Sequence, residues 1–153
     1  MKASPQDKSL EELLGASKFS GQGFLGADPR PVNEIIADDL RTLDRLGISK
    51  DTLLQSLRRA YTLGRSALGL EVKIHPGVTA IAHESMGHIP SPFRGDGVFE
   101  KGEVVIRAAD GAELILTDLG LALIEKHNFF QGHGARYRID PARAAALFGL
   151  IKT

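Results

Sequence analysis

After Gly69 the apolar residues stop recurring at helical spacing and begin to alternate, and this change of period constrains the fold more than any other feature of the chain. Ahead of it, Ile36, Leu40 and Leu43 lie on one helical face that ends at Gly47. Ser49 caps a second helix whose stripe is Leu53, Leu57, Ala60, Gly64 and Leu68, so the two helices form a hairpin through Gly47-Ile48. Beyond it, Leu70, Val72 and Ile74 alternate with Glu71, Lys73 and His75, Pro76-Gly77 supplies a turn, and Val78 to Ala82 returns as a second strand. A loop from Ser85 to Gly102 then leads to a second hairpin, Glu103 to Ala109 and Ala112 to Leu116, closed by an Asp110-Gly111 turn that admits positive φ.

The flanks fill in the rest. Residues 1–8 are polar and read as a frayed start, Ser9 to Gly15 as a short helix with a capping box, and residues 16–32 as an irregular arm packed through Phe19, Phe24 and Leu25. Asn33 is placed to cap the helix that follows. Towards the other end, Thr117 or Asp118 caps a helix through about Lys126 with Asn128 as a left-handed stop. Arg136 to Ile139 reads as a short strand, and Asp140-Pro141 starts a last helix that buries Ala144, Leu147, Phe148 and Ile151. The expectation is one α+β domain over residues 1–153: a helical N-terminal half, an antiparallel sheet of about four or five strands made of hairpins, and two C-terminal helices packed on one face.

A chain of 153 residues can bury roughly 68–70% of the surface it exposes when unfolded, enough to fold without staples. It has no cysteine, which excludes a disulfide framework, a thiolate metal site and a thiol nucleophile, and fits a reducing compartment. Lys and Arg number 19, as do Asp and Glu, so no global field draws the protein to nucleic acid or to an anionic membrane. The start lacks a secretory apolar region, and no apolar run reaches the length of about 18 residues that a bilayer span requires; a cytoplasmic protein without a membrane partner is expected.

Chemistry concentrates in His127-Asn-Phe-Phe-Gln-Gly-His-Gly-Ala-Arg-Tyr-Arg138, where imidazole, guanidinium, phenol and glycine crowd between two apolar segments. On a strand, Arg136 and Arg138 share a face about 6.5–7 Å apart, close enough to hold one carboxylate or phosphate. His133 sits between Gly132 and Gly134, backbone that can approach a ligand and turn its amides inward. These residues point to a pocket for a small anionic molecule. Arg136, Arg138, Arg94 and Tyr137 are its ligand-binding candidates, His133 and His127 its proton-transfer candidates, and Ser85 to Gly97 its wall or lid. The residues name no cofactor and no reaction, and the bland alternative is a solvated strand edge with surface ion pairs.

Rival motifs are weaker. His83-Glu84-Ser85-Met86-Gly87-His88 lacks the spacing of a helical zinc protease motif, although His83 and His88 in a loop could join His127 or His133, with Glu84 or Asp96, around a metal. Gly21 to Gly26 matches a dinucleotide fingerprint in spacing but neither follows a strand nor opens a helix. Leu43 to Arg59, within residues 33–68, resembles the turn of a helix-turn-helix DNA reader in its Gly turn, apolar residue and Ser cap. That resemblance implies a nucleic-acid regulator reading bases through Lys50, Thr52 and Gln55, with Arg58 and Arg59 towards phosphates; Leu43 stands where the motif has a small residue, and Asp44 and Asp51 repel phosphate. A third reading is a non-catalytic interaction module, a homodimer through exposed sheet edges.

Overall fold

The structure, a computed structural model, describes residues 23–93 and 95–151. The expected frayed start, the short helix at residues 9–15, the first part of the arm and Arg94 lie outside the described residues.

Helix α1 (Val32–Leu46) begins directly after Pro31 without a side-chain cap, so Asn33 lies inside the helix and not at its boundary. Proline is already fixed near the φ that a helix entry needs, which removes the need for Asn33 as a cap. Gly47 ends the helix in the left-handed conformation that its sequence position suggested, with φ of 73°. Ser49 caps α2 (Lys50–Ser66) by accepting from the Thr52 amide at 3.1 Å. Leu53, Leu57, Ala60 and Gly64 are buried as one stripe, whereas Leu68 falls beyond the helix end, at positive φ, and is 89% exposed.

The strands are β1 (Val72–His75), β2 (Val78–His83), β3 (His88–Pro90), β4 (Val98–Glu100), β5 (Glu103–Ala108) and β6 (Glu113–Leu116). Both expected hairpins form and join edge to edge, giving an antiparallel sheet in the order β1-β2-β5-β6. The Ser85–Gly102 segment, expected as a loop, contains a separate two-stranded ribbon of β3 and β4. Its strands are too short to show alternation, so pairing across the loop was not visible in their pattern.

Alternation sets the buried face. Ile74, Val78, Ala80, Ala82, Val104, Ile106, Leu114 and Leu116 point to one side, and α2 lies across them with its stripe facing inward. Gly64 allows the approach, because a Cβ there would come within 2.6 Å of Val104 Cγ1. Helix α3 (Asp118–His127) is capped by Thr117, which accepts from the Gly120 amide at 2.9 Å, and stops at Asn128 with φ of 56°. Asp140 caps α4 (Pro141–Leu147), accepting from the amides of Ala142 and Arg143. A second apolar cluster joins Phe24 of the arm, Val32 and Ile35 of α1, Leu119 and Leu123 of α3, and Phe129. The described part of the arm is therefore packed. Among the described residues no helix is long and apolar enough to cross a membrane.

Between α3 and α4 the expected strand from Arg136 to Ile139 gives way to linked turns, in which the Ala135 amide donates to Gly132 O and the Arg138 amide to Ala135 O, both at 3.1 Å. A strand would need a free sheet edge beside it. Here the chain instead bends against the arm, through bonds from the Gly132 amide to Phe24 O (2.8 Å) and from the Ala27 amide to His133 O (3.0 Å).

Candidate functional site

The bend after α3 closes one side of a cavity of about 390 Å³. Phe24, Leu119 and Gln131 line its buried end. His83, Lys101 and Arg136 stand on the exposed rim, with Glu103, Thr117 and Tyr137 along the walls. Segments distant in sequence bring these groups together: the arm through Phe24, the ends of β2 and β5, where His83 and Glu103 face each other in register, the β3-β4 ribbon, the start of α3, and the turns after it. Such a volume lies within the range of small-molecule sites, about 300–1,000 Å³.

Arg136 is 55% exposed, lies 3.4 Å from Glu103 Oε1 and has its guanidinium 5.4 Å from the Tyr137 ring centre. Burial and the Glu103 carboxylate hold the Tyr137 phenol above its usual range, so at neutral pH it remains an O–H donor. Glu100, also on the rim, is paired with Arg65 of α2, which holds it below the usual carboxylate range.

Arg138 faces the other way. It grips Asp39 of α1 with two bonds of 2.9 Å and donates to Gln131 O at 2.6 Å. Both side chains of the pair are nearly buried, 10% and 7% exposed. The shared face expected of Arg136 and Arg138 needed a strand; in the turns that replace it, Arg136 reaches the cavity and Arg138 the interior.

The histidines also part. The His127 ring is stacked on Phe93 with centroids 3.8 Å apart, and its Nε2 lies 2.8 Å from Asp96 Oδ2. Ser91 Oγ donates to the same Asp96 oxygen at 2.9 Å. Burial works to raise the Asp96 pKa, and the hydrogen bonds from His127 and Ser91 more than offset it, leaving it below the usual value. His133 uses its backbone: its amide donates to Asp28 Oδ2 at 3.0 Å, while the side chain is exposed. Asp28 is bound through both oxygens by Arg30, which with the His133 and Arg30 amides overcomes burial and holds Asp28 well below the carboxylate range. Neither His127 nor His133 lines the cavity; His83 does. Among the described residues no group of three or more His, Asp or Glu is arranged to hold a metal ion.

In the helical hairpin, Lys50 donates to Glu125 O at 3.1 Å and Arg58 pairs with the Glu125 carboxylate, so two of the candidate nucleic-acid contacts are engaged with α3. Gln131, Glu103 and Lys101 were not singled out from sequence, and no local signal marks them: each acquires its place on the cavity through segments far away in the chain. Comparison with family models, with curated proteins and with solved structures finds no match.

Proposed function

We propose that the protein binds a small anionic molecule, a carboxylate or phosphate compound, in the cavity between the β3-β4 ribbon and the turns after α3. Arg136 is the charge partner and Tyr137 a neighbouring donor. The observation that carries the reading is a half-exposed guanidinium on the rim of an open cavity of about 390 Å³. Its nearest carboxylate, Glu103, is held only at 3.4 Å, a weak bond that an incoming anion can replace. With His127 held by Asp96 and the His133 side chain outside the lining, the reading is one of binding and assigns no reaction.

The test is a thermal-shift screen of the full chain against simple carboxylates and phosphates, repeated with Arg136→Met. Stabilisation of the wild type that disappears in the variant is expected. A screen in which no anion raises the unfolding temperature, or in which the variant responds equally, would remove the proposal.

A further inference from the structure

Glu103 lines the cavity together with Arg136, and its Oε1 lies 3.4 Å from the guanidinium, so one negative and one positive group sit side by side there. They are unequally hydrated: the Arg136 side chain is 55% exposed and that of Glu103 21%. Pairing of β5 with β2, where Glu103 faces His83 in register, holds the Glu103 backbone at the cavity whatever its side chain binds. A ligand carboxylate that took its place on Arg136 would bring two carboxylates to one guanidinium. The more buried Glu103 would then lose its partner and meet a like charge, and both effects oppose binding. A cationic group carried by the same ligand removes both. The other carboxylate of the rim, Glu100, is already paired with Arg65. Ile89, Phe24 and Leu119 give the cavity an apolar side.

We propose that the ligand is an α-amino acid with an apolar side chain, its carboxylate on Arg136 and its ammonium on Glu103. The two protein groups are one long hydrogen bond apart, which calls for ligand charges joined through a single carbon. The α-carbon of an amino acid provides that spacing, whereas a phosphate ester brings no cation. Two charge-assisted bonds to the ligand then replace the one weak bond between Arg136 and Glu103. The ligand side chain lies towards Ile89, Phe24 and Leu119. The inference rests on the reading of this cavity as a site for an acid and adds the ammonium group and its partner.

Six probes separate the two claims by calorimetry on the full chain: L-leucine and L-phenylalanine, the acids that lack their ammonium (4-methylpentanoate and phenylpropionate), and the amines that lack their carboxylate (isopentylamine and phenethylamine). Titration at about pH 8, above the range in which histidine ordinarily carries charge, keeps His83 from standing in for the ammonium. At least one amino acid should bind roughly tenfold or more tightly than its deamino acid, because only it supplies a partner for Glu103. Glu103→Gln should bring that amino acid down to the level of the deamino acid, and should leave the deamino acid bound at least as tightly as before. Misfolding of the variant would weaken both. Deamino acids that bind the wild type as tightly as the amino acids would overturn the inference while the anion reading stands, and this comparison needs no variant. Amines that bind as tightly as the amino acids, with Arg136→Met affecting neither, would overturn both. If none of the six binds, the inference fails and the thermal-shift screen decides the anion reading by itself.

Discussion

Arg138, expected to hold a ligand, is paired instead with Asp39 of α1. Its guanidinium spans from Asp39 to the carbonyl of Gln131, so it supports from behind the turn that carries a cavity residue. Arg138→Ala leaves Asp39 buried without its partner and should lower stability by about 3–5 kcal/mol in urea unfolding. Joining Arg138→Met to Asp39→Leu should recover much of the loss, since the pair is then replaced and not broken. Arg136→Met should leave stability within about 0.5 kcal/mol, as expected for an exposed and loosely paired cation. Glycine gives a parallel case. In sequence Gly132 allowed close approach to a ligand; in the structure the approach is to the chain itself, where a Cβ would lie 2.3 Å from Leu25 O. Gly132→Ala should therefore destabilise by roughly 1–3 kcal/mol, measurable by the same unfolding experiment.

Among the elements, caps and turns were legible because each depends on residues a few positions apart. Ser49, Asp140 and Asn128 act where the sequence placed them, and of the two candidates Thr117 and Asp118 it is Thr117 that caps. The β3-β4 ribbon was not legible, because its stability comes from what it packs against. Ile89, Phe93 and Phe99 pack on the second apolar cluster, and Asp96 fastens the ribbon loop to the end of α3 through His127. This predicts a local effect: His127→Ala should speed hydrogen exchange of the Pro90–Val98 ribbon region, corresponding to about 1–2 kcal/mol of local stability, while the Val104 and Ile106 amides in β5 keep their protection. Equal loosening of β5 would show that the staple serves the whole sheet.

For the molecule as a whole, acid should reveal how the arm and the ribbon are held. The folded-state pKa values of Asp28 and Asp96 lie below the ordinary aspartate value of 3.8, so both groups bind protons more readily when unfolded. The stability they contribute is full above about pH 4 and is lost as the pH falls further through their folded-state values. Urea midpoints should decline across that acidic range, and Asp28→Asn should flatten the decline while lowering stability at neutral pH by about 2 kcal/mol. An unchanged slope in that variant would assign the acid sensitivity elsewhere. The α+β class, the two hairpins, the helical hairpin and most helix ends followed from the sequence alone, because periodicity and capping are enforced among near neighbours. Only the tertiary structure decided that Arg136 meets the cavity, that Arg138 turns to an aspartate 99 positions away, and that an amide oxygen at Gln131 is buried without a donor among the described residues. Partner choice for a charged or polar side chain is settled by whichever distant segment packs beside it, and that is not encoded in its local pattern.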